Sequence, residues 1–227
     1  MIWELFHWPA HSIRQQKDWN ALIKEYPVIG TYPTQASSIE ELIRPAYQDY
    51  VRQYSSALIS LSLNRACFIY FLIKEVQIQK TIDLGTGISS YVCLLASKHV
   101  DSSEVVSVDD NEYWLEKTRE FLHAKNISGD HLLLLKDFLK EITDVQFGMC
   151  ILDIGDFSLR KKLFPTLVAS VKKHRGFLFV DDFHVPEYRS YIERVCAEEQ
   201  LRVYSLRKVT RRRLSHAAVI ANDLTQA

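Results

Sequence analysis

Glycine and proline are scarce, with 7 and 6 among 227 residues. So low a share excludes collagen-like and low-complexity chains and leaves few places for tight turns. A surplus of one charge is missing too, since 28 Lys and Arg balance 28 Asp and Glu. A chain with no net charge lacks the bulk attraction that draws basic proteins to nucleic acid or anionic membranes. Cysteine is rare, and Cys67, Cys93, Cys150 and Cys196 form no CxxC pair. Three of the four sit in apolar runs, the pattern of reduced core thiols and of a reducing, cytoplasmic setting. Long hydrophobic runs are absent. The greasiest stretch, residues 66–73, is far too short to span a bilayer and is flanked by Arg65 and Lys74. The opening "MIWELFHWPAH" has neither a basic region nor a small-residue cleavage pattern, so it is not read as a signal peptide and the protein is expected to be soluble.

What is present is a 47% hydrophobic chain long enough to bury one substantial core. From about Lys80, short β-rich runs ("KTIDL", "EVVSVD", "HLLLL", "FGMCILD", "GFLFVD") alternate with longer amphipathic stretches. That rhythm predicts βαβ units and a parallel sheet covered on both faces. In "SLRKKLFPTLVASVKKH", Pro165 is expected to kink or split the helix. At the end, "LRVYSLRKV" and "RLSHAAVIAND" predict a hairpin joined by a short basic turn, with no helix between its arms. The fold class is therefore α/β: a doubly wound, seven-stranded, mostly parallel sheet with an antiparallel last strand. Residues 1–78 lack strand signals and predict an N-terminal helical extension, leaving 79–227 as the α/β domain. "SALISLSLNRACFIYFLIKEV" is read as helical throughout.

The first core strand runs into "IDLGTGISSYVCLLASKH". Asp83 closes the strand, Gly85 and Gly87 make the turn, and Ser89 and Ser90 open a helix whose free N–H groups face any ligand. An ordinary βα turn reads the same way. The next strand, however, also ends in acids, Asp109 and Asp110, suited to accept hydrogen bonds from ribose hydroxyls. A dinucleotide fingerprint needs glycine where Ser90 stands, and the Walker phosphate-binding pattern is absent. An acid before the glycines repels phosphate and suits a ligand carrying an amine and a positive charge.

"TIDLGTGISS", "VVSVDDN" and "GMCILDIGD", in that order, resemble the class I S-adenosylmethionine-dependent methyltransferases over residues 78–221. The resemblance implies S-adenosylmethionine as cofactor, with Asp83, Gly85, Gly87 and Ser89 around the methionine moiety. It implies Asp109 at the ribose with Asp110 as competitor, Asp137 and Phe138 near the adenine, and the acceptor above Asp153.

"CILDIGDF" and "FLFVDDFH" end two further strands in Asp153, Asp156, Asp181 and Asp182. Carboxylates converging on one volume repel unless a cation joins them, and Mg²⁺ is one solution. The set is similar to that of metal-dependent O-methyltransferases, which implies Asp153, Asp181 and Asp182 as metal ligands, although Asp156 lies one residue further on than in that pattern. Asp156 and His184 are the candidate bases. The alternative is that Asp182 caps the helix starting near Pro186. The basic "RKVTRRRL" is read as a solvated tip, or else a contact with an anionic substrate or RNA, and His7, His11 and His216 as structural or surface residues. The aromatics of the extension (Trp3, Phe6, Trp8, Trp19, Tyr26, Tyr32, Tyr47, Tyr50 and Tyr54) form either core or a pocket for a flat acceptor. The extension itself is expected to be a lid or a homodimer surface. The function expected is methyl transfer to an oxygen of a small molecule, with no nucleic-acid partner and no membrane. The alternatives are an NAD-type oxidoreductase and a non-catalytic methyltransferase-like binding domain.

Overall fold

The computed structural model describes residues 8–141, 146–211 and 215–222. Trp3, Phe6, His7, Arg212, Arg213 and Leu214, and the side chains of Trp8 and His11, lie outside that description. Three helices come first: α1 (Trp8–Glu25), α2 (Tyr32–Gln53) and α3 (Leu63–Val76), with a 3-10 turn at Pro27–Thr31. Then follow β1 (Lys80–Leu84), α4 (Ile88–Ser97), β2 (Glu104–Asp109), α5 (Glu112–Ala124), β3 (Leu132–Leu134) and α6 (Leu135–Glu141). Next come β4 (Met149–Leu152), α7 (Phe157–His174), β5 (Phe177–Val180) and α8 (Pro186–Glu198). The chain finishes with β6 (Leu201–Ser205), a single helical turn α9 (Arg207–Thr210) and β7 (Ala218–Asn222). All seven strands join one sheet in the order β3-β2-β1-β4-β5-β7-β6, and β7 runs antiparallel to both of its neighbours.

The alternation of side chains along each strand assigns the two faces. On β4, Met149 and Ile151 join a core with Trp19, Ile43, Phe68 and Phe71 from the N-terminal helices, while Cys150 and Leu152 face Phe164, Leu167 and Ile192 from α7 and α8. Strands apolar on both faces are what a covered parallel sheet requires. The run "ACFIYFLI" lies in α3, whose residues from Arg65 to Ile73 are all buried. A helix hydrophobic all round belongs inside a protein, and here it packs between α2 and α4. No helix of the described residues is long and apolar enough to cross a membrane. The four cysteines are buried and unpaired.

Local structure departs from the sequence reading in several places. Residues 55–62 form turns and extended chain, so the third helix starts only at Leu63. The last two strands are not joined by a tight hairpin, because "RKVT" winds into α9 and buries Thr210. The Thr210 hydroxyl donates to the Leu206 carbonyl and accepts from the Ala217 amide, tying the turn to β7. Pro165 leaves α7 unbroken. It removes the amide that would bond the Lys161 carbonyl, and the Tyr191 hydroxyl donates to that oxygen instead at 2.8 Å. β3 stops at Leu134, and "LKDFLKE" coils into α6.

Candidate functional site

The sheet registers place the sequence-predicted acids on one edge. Val108, Leu84, Leu152 and Val180 lie level across β2, β1, β4 and β5. The residues that follow them are Asp109, Gly85, Asp153 and Asp181. The ladder continues one step beyond the strands: Gly85 N–H donates to Val108 O, Asp153 N–H to Leu84 O, and Asp181 N–H to Leu152 O. Neighbouring strands lie about 4.8 Å apart, so the row spans one compact site. It lies at the carboxyl ends of the strands, around the point between β1 and β4 where the strand order reverses, which is where open α/β sheets take ligands. A cavity of about 600 Å³ opens there, and Gly85, Thr86, Gly87, Ser89, Asp109, Asp110, Asp153, Asp181, Asp182 and His184 all line it.

The glycine loop is braced from below and from the side. Asp83 is fully buried and accepts hydrogen bonds from the hydroxyls of Ser89 (3.0 Å) and Ser90 (2.8 Å). Burial pushes its carboxyl up to about 7. Asp83 itself does not line the cavity; it holds the loop from underneath. Ser90, which stands where a third glycine would allow a dinucleotide, turns its hydroxyl inward and accepts the Gly87 amide at 3.2 Å. On the other flank, Asp109 accepts the Thr86 amide (2.8 Å), the Thr86 hydroxyl (2.9 Å) and the Asn111 amide (3.0 Å). Asp110 is exposed, faces the cavity and has no hydrogen-bond partner among the described residues. The glycines serve packing more than ligand approach. At Gly85 (φ +110°) a Cβ would lie 2.6 Å from the Asp153 carbonyl carbon and oxygen, and at Gly87 it would lie 2.7 Å from the Tyr50 hydroxyl.

Asp156, Asp137 and Phe138 are not brought to the cavity. Asp156 caps α7, accepting the Leu159 amide at 2.8 Å, because the extra residue after Asp153 carries it past the edge to the helix start. Asp137 pairs with Lys140 on α6, and Phe138 packs into the core, because the chain coils immediately after Leu134. Nor does Asp182 cap the next helix, whose N-cap is Val185 with no side-chain bond. Asp182 adopts the left-handed region (φ 54°), which turns its carboxylate back toward the edge.

Two arginines that the sequence reading passed over complete the site. Arg65 of α3, 5% exposed, donates to Asp181 at 2.8 Å and also to the Ser215 hydroxyl. Arg160 of α7 donates to Asp153 at 2.8 Å and to Asp182 at 3.3 Å, and also to the carbonyls of Ile154 and Asp153. In sequence Arg65 looked like the charged end of an apolar run and Arg160 like one more cation in "RKK"; nothing local marked either as buried. Burial and the neighbouring Asp181 hold Asp153 above the ordinary carboxylate range. Burial likewise raises Asp181 to about 6, against the opposing pull of Arg65. His184 is half-buried, with Nδ1 3.8 Å from Asp182 and its affinity for protons lowered by burial. His216 is buried behind it, the ring centroids 6.4 Å apart. The segment before α3 supplies Leu58, Ile59, Leu61 and Ser62 to the rim, with Leu58 88% exposed.

The residues present fit S-adenosylmethionine. They offer the open helix start at Ile88 and Ser89, unengaged carboxylate oxygens on Asp110, and an acid-rich edge suited to a sulfonium and an amine. They do not fit a divalent metal, because guanidinium groups already engage each of Asp153, Asp181 and Asp182. Among the described residues no group of three or more His, Cys, Asp and Glu is disposed to hold an ion.

Comparison with known proteins agrees with the topology. No family model matches the chain. The ribosomal protein L11 methyltransferase of Fusobacterium nucleatum is 28% identical over 114 residues, which cover 45% of this chain and only 36% of that relative. Among solved structures, the O-methyltransferase TomG from Streptomyces achromogenes, in complex with SAM, superposes with a TM-score of 0.57 at 13% identity over 80% of this chain and 89% of its own. A putative caffeoyl-CoA O-methyltransferase from Staphylococcus aureus also gives 0.57, at 17% identity over 88% of this chain and 100% of its own. With its strand order, its reversed β7 and these neighbours, the chain has the class I S-adenosylmethionine-dependent methyltransferase fold.

Proposed function

We propose that the protein is an S-adenosylmethionine-dependent methyltransferase acting on an oxygen of a small-molecule acceptor. The observation that carries this reading is the level row of Asp109, Gly85, Asp153 and Asp181 facing one cavity of about 600 Å³. That volume lies in the range of small-molecule sites. The β1–β2 half, with Thr86, Gly87, Asp110, Asn111 and Trp114, is the cofactor end, and the β4–β5 half, with Arg65, Arg160, Asp182 and His184, is the acceptor end. S-adenosylmethionine supplies an electrophilic methyl group on a sulfonium.

The chain's residues then have few tasks. Asp110 takes the ribose hydroxyls, since Asp109 already spends its oxygens on Thr86 and Asn111. Holding both reactants in line is the main contribution, which can reach roughly 7–11 kcal/mol of barrier. A hydroxyl acceptor must lose its proton, and the His184 imidazole takes it. Burial keeps this imidazole neutral at neutral pH, and Asp182 at 3.8 Å steadies the imidazolium that forms. The chain before β1 serves as the lid wall, because Tyr50 of α2, Arg65 of α3 and, between those helices, Leu61 and Ser62 line the cavity.

Isothermal titration with S-adenosylhomocysteine and with NAD tests the reading. Saturable binding of S-adenosylhomocysteine, weakened by Asp110→Asn, is expected. Binding of NAD alone would remove it, and binding of neither would favour a non-catalytic domain.

A further inference from the structure

Acids converging at the ends of β4 and β5 raise a question of charge: what keeps Asp153, Asp181 and Asp182 together? A hard divalent ion would answer it with several oxygen ligands at about 2.0–2.1 Å for Mg²⁺. Here the chain answers it with its own side chains. Asp153 is engaged by Arg160 at 2.8 Å, Asp182 by Arg160 at 3.3 Å, and Asp181 by Arg65 at 2.8 Å. Neither guanidinium is a surface cation that an ion could sweep aside. Arg160 is 6% exposed, and its Nε donates to the Ile154 carbonyl at 2.9 Å. Arg65 is enclosed by α3 and the end of β5, and it also donates to Ser215.

The atoms left over point the same way. At this wall Ser62 Oγ, Arg65 Nε and His184 Nδ1 are buried without a hydrogen-bond partner among the described residues. A hydroxyl and a guanidinium N–H beside an imidazole suit an oxygen of an organic ligand, whereas the guanidinium repels a cation. Arg160 does a second thing. It bonds the carbonyls of Asp153 (3.2 Å) and Ile154 (2.9 Å), beside the peptide unit on which Gly85 rests. A Cβ at Gly85 would meet the Asp153 carbonyl at 2.6 Å and the Ile154 nitrogen at 2.8 Å. The group that balances the acids thus also fixes the floor under the glycine loop.

We propose that Arg65 and Arg160 are the resident cations of the acceptor pocket, which takes its oxygen acceptor directly through Arg65, Ser62 and His184 and binds no divalent metal. Arg160 is a positioning residue that couples the charge of the acceptor end to the geometry of the cofactor loop. The acceptor part of this statement rests on the methyltransferase reading; the exclusion of metal does not.

The test is calorimetric titration of EDTA-treated full chain with MnCl₂ and MgCl₂, with and without S-adenosylhomocysteine, alongside Arg160→Met and Arg65→Met. Wild type is expected to show no saturable metal binding at millimolar ion and no change in Tm on adding EDTA. Arg160→Met, with its acids uncompensated, is expected to gain a rise in Tm on adding manganese and to bind S-adenosylhomocysteine several-fold more weakly. One manganese per wild-type chain, lost in Asp181→Asn, overturns the proposal. A folded Arg160→Met chain that gains no response to manganese overturns the claim that the arginine excludes the ion. If Arg160→Met does not fold, the wild-type titration and Arg65→Met decide. Failure of S-adenosylhomocysteine to bind wild type would sink the methyltransferase reading and leave the metal titrations still decisive.

Discussion

At Gly85 the loop and β4 approach so closely that one extra carbon would sit 2.6 Å from the Asp153 backbone, at a φ of +110° that L side chains avoid. Gly85→Ala must therefore push the loop off the sheet edge. The expected cost is about 1–3 kcal/mol of stability together with loss of S-adenosylhomocysteine binding, read by urea denaturation and by titration calorimetry. At Gly87 (φ +153°) an added Cβ meets the Tyr50 hydroxyl at 2.7 Å, so Gly87→Ala combined with Tyr50→Phe is expected to recover part of what Gly87→Ala loses. His184→Gln keeps size and polarity but removes the base, and kcat on a hydroxyl acceptor should drop by roughly 10²–10⁴. Since burial lowers the proton affinity of His184, the wild-type rate should hold as pH falls through the ordinary histidine value of 6.5 and decline only below it. A rate profile in the Gln variant with the same acidic limb would assign that limb to another group. The bases and acids at strand ends were legible in sequence because charge in an apolar run is conspicuous. Their assignment among the edge, the cap at Asp156 and the core support at Asp83 was not, because each depends on where a neighbouring strand or helix stops.

Between elements, the N-terminal helices are fastened to the sheet by polar contacts as well as by core. Glu25 of α1 accepts from Arg202 and from the Tyr204 hydroxyl of β6, both at 2.6 Å, and Asp49 of α2 pairs with Lys125 at the end of α5 at 2.7 Å. The Arg65–Asp181 pair joins α3 to β5. Breaking one side of such a pair leaves an uncompensated buried charge, so Arg65→Met is expected to cost about 3–5 kcal/mol, while Arg65→Met with Asp181→Leu should cost much less. Chemical denaturation of the two variants checks this, and equal losses would show that Arg65 contributes only packing. Helix and strand periodicity identified nearly all of these elements. It failed at residues 55–62, where apolar "SALISLS" mimics a helix but supplies the cavity rim, and at "RKVT", where four residues close a turn against β7.

For the whole molecule, buried carboxyls set a pH dependence, with Asp153 and Asp109 raised in the same direction as Asp83 and Asp181. Asp83 is raised to about 7 and Asp181 to about 6, mainly by burial, from an ordinary value of 3.8. The folded chain therefore holds protons that the unfolded chain has released, and stability falls as pH rises from about 4 toward 7. Urea midpoints should be higher at pH about 5.5 than at about 7.5, and Asp83→Asn, which keeps acceptors for Ser89 and Ser90, should flatten the slope. A slope unchanged in that variant would assign the dependence to other groups.

The sequence by itself determined the alternation of strands and helices, the seven-stranded sheet with its reversed last strand, and the carboxyl-end row of Asp109, Gly85, Asp153 and Asp181. Each of these follows from local periodicity and from charges placed where strands stop, which neighbouring residues encode. The tertiary structure alone decided what balances those charges. Arg65 lies 116 residues from Asp181, and Arg160, though only 7 residues from Asp153, joins it to Asp182 a further strand away, and no local pattern records pairings between elements so far apart. Burial then makes each partner necessary, since an acid that would be harmless in water needs a counter-charge once β4, β5, α3 and α7 close around it.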